Sequence, residues 1–424
     1  MTSLLQYTRC SLALPCLLLF VLLLYIGGSS SASLALPEVG SHQVLFAWKH
    51  LNFTFESVEE SKRWESMDGY KNCMLAGVKQ SHAGEVFVSV PRGKPNVPAT
   101  LARLVLPDPT ALWNPTQNAT APLLEPFPSW EMNREGDVHA LQSVLGFEID
   151  SQDRIWILDQ GHVNNAEAVP GSIKLLVYKI ATKELLYNYT FTADEAPLGS
   201  SFLNDIVVDE KRGYAYITDS GQEAGAPYRG ALLVYSAATN TVRRVLDSHY
   251  SQQPNASVWI HINGQPVDLD TPMMTGSDGI ALTPDGEWLF FCPLTSREIY
   301  RLPTALLRQF DTPESTLASS VVHVFSRRTA SDGLAIASDG KLYLTGLEID
   351  GLEMAPSPLD STELTTFVTD RRTMIWPDTI GFDHNGWLLF VSNRLQQFTQ
   401  GFMVWNDVNF RILRVFINAG SYLD

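Results

Sequence analysis

Positive charge is scarce in this sequence. The chain has 30 Lys and Arg residues against 46 Asp and Glu residues among its 424 residues, a formal net charge of −16 at pH 7. A surface of this sign repels the phosphate backbone of nucleic acids, and no cluster of basic residues in the sequence offsets it. We therefore expect no nucleic-acid partner.

Long apolar runs are also missing, except near the N-terminus. There, Arg9 is followed by the apolar stretch 17–26 and by the small residues GGSSSASLA, which is the pattern of a secretory signal peptide over residues 1–33. The run is too short to span a bilayer, and no later segment reaches 18 apolar residues. We predict that residues 34–424 form a single secreted, extracellular domain without membrane contact.

Cysteine is rare as well. Of four cysteines, Cys10 and Cys16 lie in the predicted signal peptide, which leaves Cys73 and Cys292. Two thiols in an oxidising compartment allow one disulfide. The pairing stays open, because the repeats described below put the two residues in opposite blades of a ring, whereas bonded cysteines need Cα atoms about 4.4–6.8 Å apart.

Motifs of several enzyme classes are absent from the sequence. There is no G-x-S-x-G, H-E-x-x-H, P-loop or G-x-G-x-x-G segment, and the nine histidines show no ligand spacing. We therefore predict no cofactor and no metal ion, and the sequence identifies no catalytic residue. Four N-glycosylation triplets fit passage through the secretory pathway, and they begin at Asn52, Asn118, Asn188 and Asn255.

What the sequence does contain is a repeated β-hairpin: an alternating apolar run, a polar turn and a second alternating run. It occurs as DGIALTPDGEWLFF from Asp278 and DGLAIASDGKLYLT from Asp332. Four further copies begin at Cys73, Gly146, Asp205 and Asp378. A second hairpin follows several copies, from Lys174, Ala231 and Phe402.

Two hairpins per repeat give a four-stranded sheet, and six repeats of such a sheet are typical of a β-propeller. We predict an all-β fold, a six-bladed β-propeller of four-stranded antiparallel blades. The segment HQVLFAWKHLNF from His42 is the strand-like candidate to close the ring by pairing with the last blade. A sandwich or two stacked barrels are the alternatives, although neither requires six copies of one pattern.

Each repeat offers two kinds of acid. The second, as in Asp285-Gly286 and Asp339-Gly340, sits between two strands, where a tight turn favours Asp and Gly. The first begins the innermost strand, so four acids should converge at the mouth of the channel: Asp205, Asp278, Asp332 and Asp378. Neighbouring strand ends add Asn204, Glu348 and Asn393, and Trp376 could stack on an aromatic ligand there.

Carboxylates that converge raise one another's pKa or recruit a cation, either a protonated amine or a metal ion. The alternative is structural: each first Asp accepts backbone hydrogen bonds within its own blade. The predicted ligand site nevertheless comprises eight residues: Asn204, Asp205, Asp278, Asp332, Glu348, Trp376, Asp378 and Asn393.

The sequence contains the segments FAWKHLNF from Phe46, VSVPRGKPNVPATLARL from Val88, PFPSWEMN from Pro126 and WPDTIGFDHNGWLLFVSNRL from Trp376. In these segments, and over nearly the whole predicted mature chain, it resembles the major royal jelly and yellow proteins of insects. The resemblance implies a secreted six-bladed propeller whose channel opens at one end into a small-molecule pocket. Members of that family include pigmentation proteins linked to dopachrome conversion, salivary binders of biogenic amines and nutritive proteins.

Three functions follow as hypotheses. The first is binding of a small ligand, an aromatic amine or a catechol, at the acid-lined end of the channel, with Asp278, Asp332 and Asp378 pairing with the ammonium group. The second is an enzyme, a dopachrome-converting tautomerase in which a channel acid moves a proton. The third is a structural or nutritive glycoprotein.

Overall fold

Six four-stranded antiparallel sheets make up the protein, as described by a computed structural model for residues 36–105, 121–221 and 229–424. Blades 1 to 3 comprise Val78–Gln80, Val86–Ser89, Leu101–Val105 and Leu123–Pro126; Val144–Ile149, Arg154–Asp159, Lys174–Lys179 and Glu184–Thr190; and Leu203–Asp209, Tyr214–Asp219, Ala231–Ser236 and Thr241–Val245. Blades 4 to 6 comprise Ser277–Leu282, Trp288–Pro293, Glu298–Pro303 and Val322–Ser326; Leu334–Ile336, Leu342–Gly346, Gly351–Ala355 and Thr365–Thr369; and Pro377–Phe382, Trp387–Ser392, Phe410–Phe416 and His42–Trp48.

The first strand of each blade faces the centre of a ring. Each of these inner strands contacts the inner strand of the next blade, and that of blade 1 contacts that of blade 6, so the circle is closed. The protein is therefore a six-bladed β-propeller, and the prediction from the six hairpin repeats is confirmed.

The two ends of the described chain meet in blade 6. Strand His42–Trp48 pairs antiparallel with Phe410–Phe416 and forms the outermost strand of that blade. The indole N–H of Trp48 donates to the carbonyl oxygen of Pro122 over 2.8 Å. This confirms that the segment from His42 closes the ring, whereas the second hairpin predicted from Phe402 is wrong: residues 402–409 form turns and loops, because the N-terminal strand takes the fourth position.

Glycine at the third position of an inner strand has a packing reason in two of the blades. A Cβ atom on Gly279 would lie 2.1 Å from Cδ1 of Leu334 in the next blade. On Gly146, the corresponding atom would lie 2.3 Å from the carbonyl oxygen of Asn204. The inner strands are crowded around the axis, so only residues without a side chain fit at these contacts.

The second acids of the repeats form turns, as predicted. Gly286 and Gly340 have φ angles of +69° and +83°, in the left-handed region that favours glycine. The carboxylate of Asp285 accepts the backbone N–H of Glu287 over 3.0 Å, and that of Asp339 accepts the N–H of Lys341 over 3.2 Å. These acids lie at the end of the ring opposite the first acids.

Helices are few and short. The α-helices span Val58–Ser66, Thr304–Arg308, Glu314–Ser320 and Leu395–Thr399, and 3-10 turns span Gly69–Asn72, Glu131–Asn133, Tyr250–Gln252 and Leu347–Ile349. A two-stranded hairpin, His261–Ile262 and Gln265–Pro266, lies between blades 3 and 4. None of the helices in the part of the chain that the structure describes has the length and apolar character required to cross a bilayer.

The predicted signal peptide, residues 1–33, lies outside the described residues, as does Asn118. Of the other predicted glycosylation sites, Asn188 and Asn255 are exposed and Asn52 is half-buried. Glycosylation stays a prediction at each of them.

Candidate functional site

A cavity of about 330 Å³ lies at the end of the ring where the inner strands begin. Four of the predicted ligand residues line it, and blades 3 to 6 supply one each: Asn204, Asp278, Asp332 and Asp378. Apolar side chains supply much of the remaining wall, among them Met74, Leu145, Phe202, Met273, Leu294, Leu395 and Phe398. The cavity thus combines a carboxylate-rich wall with an apolar one.

The three carboxylates are held in a state that resists ionisation. Burial, followed by repulsion from Asp332 and Asp378, raises the pKa of Asp278 well above its usual range. Burial and the charge of Asp378 do the same to the pKa of Asp332. Burial raises the pKa of Asp378 to about 6, although hydrogen bonds from Thr379 and Asn393 act in the opposite direction.

Neutral groups hold these carboxylates in place. Asp332 accepts the indole N–H of Trp376 over 2.6 Å. Asp378 accepts the amide of Asn393 over 2.6 Å and the backbone N–H of Thr379 over 2.7 Å. In the described chain, no Lys or Arg forms an ion pair with Asp278, Asp332 or Asp378. None of the three carboxylates is therefore neutralised by a directly paired cation when it ionises.

Asp205 lies in a different space, farther along the channel. It lines a narrow gap together with Lys79, Glu148 and Tyr422. Burial raises the pKa of Asp205 to about 6, against the opposing charge of Lys79. Lys79 itself donates to Glu148 over 3.0 Å. Asp205 is thus separated from the lining of the cavity. Its carboxylate accepts the backbone N–H of Ile206 in its own blade over 2.8 Å, which is the structural role considered above as the alternative to ligand binding.

Three predicted ligand residues lie behind or beside the cavity rather than on its wall. Trp376 has no accessible surface, so it offers no face for stacking, and that predicted role is corrected to one of holding Asp332. Asn393 is likewise fully buried and holds Asp378. Glu348 is occupied by an ion pair with Arg297 at 2.7 Å and by the backbone N–H of Ala330.

A histidine that sequence reasoning missed also lines the cavity. His162 is 3% exposed, and its Nδ1 lies 2.8 Å from the carbonyl oxygen of Ala166, which can only accept. The proton of the neutral ring is therefore on Nδ1, and the buried Nε2 has no hydrogen-bond partner among the described residues. His162 lies three residues beyond the second strand of blade 2, which ends at Asp159, so it is on a connecting segment to which the hairpin repeat does not point.

Lys94 and Gln160 also line the cavity and were not predicted. The ammonium group of Lys94 donates to the carbonyl oxygen of Phe398 over 2.8 Å and lies 3.8 Å from the centroid of its ring. Burial lowers the pKa of Lys94. Gln160 donates to Ser143, while its buried Oε1 has no partner in the described chain.

The two cysteines are free thiols, which corrects the possible disulfide. Cys73 is packed among apolar residues of blades 1 and 6, and Cys292 among those of blades 4 and 5. Both are fully buried in these separate clusters. The repeat order, which puts the two cysteines in opposite blades, therefore explains why no disulfide joins them.

Comparisons with known proteins agree with this architecture. A sequence model described as major royal jelly protein matches residues 142–421. Dopaminechrome tautomerase of Drosophila melanogaster is 26% identical over 420 residues, which cover 92% of this chain and 85% of that protein. Major royal jelly protein 8 of Apis mellifera is 25% identical over 434 residues, covering 94% of this chain and 97% of its own.

Among solved structures, the calcium-binding protein regucalcin of Agrobacterium tumefaciens aligns with a TM-score of 0.50. The alignment covers 82% of this chain and 91% of that one, at 12% identity. This likeness concerns the fold alone.

Proposed function

The chain belongs to the major royal jelly protein family, and we propose that it is a secreted protein that binds a small aromatic amine or catechol in the cavity lined by Asp278, Asp332 and Asp378. The observation that carries this proposal is the presence of three carboxylates on one wall with no cationic partner in the described chain. Burying such charges is costly unless a positive group accompanies them. A protonated amine supplies that group.

The rest of the wall suits an aromatic ring. Phe202 and Phe398 line the same cavity, together with several Met and Leu side chains. A volume of about 330 Å³ is at the small end of the range for ligand pockets, which favours a single-ring or fused-ring compound. Lys94 adds one cation to the wall, but its ammonium group donates a hydrogen bond to the carbonyl oxygen of Phe398 and is partly screened by that contact.

Calorimetry with a matched set of ligands tests the proposal. Dopamine and tyramine should bind, while catechol, which lacks the amine, should bind at least about tenfold more weakly, since one charge-assisted contact is worth about 1.5–3 kcal/mol. The double variant Asp278→Asn, Asp332→Asn should lose the preference for the amine. The control Asp339→Asn changes an exposed turn acid and should leave affinity unchanged.

Equal amine affinity in the double variant and the wild type would show that the site is elsewhere. If none of these compounds binds the wild type, a structural or nutritive role becomes the better account.

A second candidate function is supported by His162. A tautomerase moves one proton from carbon to oxygen, so one C–H bond breaks, one O–H bond forms and no oxidant is needed. In this candidate reaction the unpartnered Nε2 of His162 accepts the proton from carbon, and Asp332, whose raised pKa favours the protonated form, donates one to a quinone oxygen; both residues line the cavity. The similarity to dopaminechrome tautomerase favours a substrate of that kind.

The test is the decay of dopaminechrome absorbance with purified protein, compared with buffer. The variant His162→Asn keeps a donor for Ala166 but removes the Nε2 base, and we expect at least about a hundredfold loss of kcat with little change in KM. His261→Asn, at an exposed histidine outside the cavity, is the matched control. A wild-type rate equal to that of buffer excludes this candidate and leaves the binding proposal intact.

A further inference from the structure

Two histidines and an aspartate converge at the end of the ring opposite the cavity. His82 lies in the turn between the first two strands of blade 1, His384 in the corresponding turn of blade 6, and Asp424 in the C-terminal segment. One potential ligand atom from each lies within 4.8 Å of the others. The imidazole rings of His82 and His384 are stacked, with centroids 3.9 Å apart and planes inclined by 25°.

We propose that His82, His384 and Asp424 bind a divalent transition-metal ion of the Zn²⁺ class, which joins blade 1, blade 6 and the C-terminal segment. Two imidazoles and one carboxylate are a donor set of zinc sites that keep an open position for water. Imidazole nitrogen favours zinc and copper over the oxygen-seeking Ca²⁺ and Mg²⁺.

The backbone around both histidines is already fixed. The N–H of His82 donates to Oδ1 of Asp153 over 2.7 Å, and the N–H of Gly84 closes the same turn onto Ser81 over 2.9 Å. In the second turn, Oδ1 of Asp383 accepts the N–H groups of Asn385 and Trp387 over 2.8 and 2.9 Å. Metal binding therefore requires side-chain rotation but little ordering of the chain.

Asp153 also orients the ring of His82. Its Oδ1 lies 3.2 Å from Nδ1 of His82, and a carboxylate at that position fixes the tautomer with the proton on Nδ1. The lone pair of Nε2 is then available to a metal. Histidine ligands in metal sites commonly have such a carboxylate behind them. Asp153 is thus a positioning residue for the proposed site.

The C-terminal segment is anchored close to Asp424. The phenol oxygen of Tyr422, which is 6% exposed, accepts the backbone N–H of Val208 over 2.9 Å. The N–H of Ser421 donates to Oδ2 of Asp424 over 2.8 Å. The carboxylate is therefore held beside the two rings, and its Oδ1 is left for coordination.

Binding requires the two imidazole rings to turn out of their stacked arrangement, so that a nitrogen lone pair of each ring points at the same ion. Zn–N bonds of about 2.0–2.1 Å in a tetrahedral site bring two ligand nitrogens to roughly 3.3 Å from each other. The two side chains and Asp424 are exposed, so they can close the remaining distance at little cost. Blades 1 and 6 are neighbours across the point where the ring closes, so the ion would cross-link that closure.

Zinc titration of untagged protein after dialysis against EDTA tests this site. Native mass spectrometry and calorimetry should show one Zn²⁺ per chain, and the melting temperature should rise by several degrees with zinc, because a ligand that binds only the folded state stabilises it. Equimolar Ca²⁺ or Mg²⁺ should leave the melting temperature unchanged.

His82→Ala and His384→Ala should each weaken zinc binding by more than about a hundredfold, and Asp153→Asn by about tenfold, as loss of a supporting carboxylate does. His261→Ala removes another exposed histidine and should have no effect. Zinc affinity that is unchanged in both His82→Ala and His384→Ala, or the absence of a one-to-one complex in the wild type, would overturn the proposal. Circular dichroism of the variants checks that these exposed substitutions preserve the fold.

Discussion

The indole N–H of Trp376 donates to Oδ2 of Asp332 over 2.6 Å from a ring that has no accessible surface. This bond favours the ionised form of Asp332, while burial and the charge of Asp378 oppose it. The tryptophan thus belongs to the site without touching a ligand. Its hydrogen bond lowers the pKa of Asp332 and so affects the pH at which that carboxyl group ionises.

We predict an energetic coupling between Trp376 and Asp332. In urea unfolding at pH 7.5, Trp376→Phe should lower the free energy of unfolding by about 2–3 kcal/mol, through loss of a hydrogen bond to a buried carboxyl group and of packing. In the background Asp332→Ala the same change should cost about 1–2 kcal/mol less, because the acceptor is already gone. Trp288→Phe combined with Asp332→Ala is the control and should be additive; additivity for Trp376 would contradict the prediction.

We also predict that the site acids reduce stability at neutral pH. The pKa of Asp378 is about 6 in the folded protein against an ordinary value of 3.8. Between these values the folded chain keeps a proton that the unfolded chain has lost, so the free energy of unfolding falls as the pH rises through this window. Asp378→Asn cannot ionise and should be more stable than the wild type by up to about 3 kcal/mol at pH 7.5.

At pH 4 the same variant should differ little from the wild type, because Asp378 is then protonated in the folded protein. Urea unfolding at both pH values measures the difference. Asp339→Asn, at an exposed turn, should show nearly the same difference at both. A loss of stability in Asp378→Asn at pH 7.5 would mean that its hydrogen bonds outweigh the charge that it buries.

The fold was predictable because a propeller repeats one pattern. Six hairpins signal six blades wherever the insertions fall, and the segment from His42 was the strand-like candidate to close the ring. The prediction of a second hairpin from Phe402 was wrong for a related reason. The pattern does not specify which terminus supplies the last strand, and here it is the N-terminal one.

The site was predictable only in part. Asp278, Asp332 and Asp378 start inner strands, a position that the repeat reveals. His162 and Lys94 lie on connecting segments that differ from blade to blade, so no pattern points to them. Trp376 shows the other limit: a residue beside the channel can face into the protein, and its direction depends on packing that the sequence does not display.

A third prediction concerns ligand affinity and pH. A protonated amine pairs best with ionised carboxylates, so its affinity should rise at least about tenfold between pH 5 and pH 7.5, across the pKa of about 6 of Asp378. Binding should release protons, which calorimetry detects as a dependence on the buffer's ionisation enthalpy. Catechol, which has no charge at these pH values, is the control ligand and should show little pH dependence. Amine affinity that is constant over this range would place the amine away from the carboxylates.

The last prediction is that Cys73 and Cys292 stay reduced and unreactive in the folded protein. Burial raises the pKa of both thiols, that of Cys292 to about 11 despite the nearby Arg327, so the reactive thiolate is scarce at pH 7.5. A thiol reagent such as DTNB should label neither residue in the folded protein, and should label both in 6 M guanidinium without prior reduction.

The free energy of unfolding of a double cysteine variant provides a second test of whether the two thiols are unpaired. If the thiols are unpaired, Cys73→Ala and Cys292→Ala each remove separate buried contacts, and the double variant should lose the sum of the two single losses, about 1–2 kcal/mol each. If the residues were bonded, either substitution would remove the same cross-link, so the double variant would be little worse than one single variant. Because the two side chains occupy clusters on opposite sides of the ring, we expect the sum.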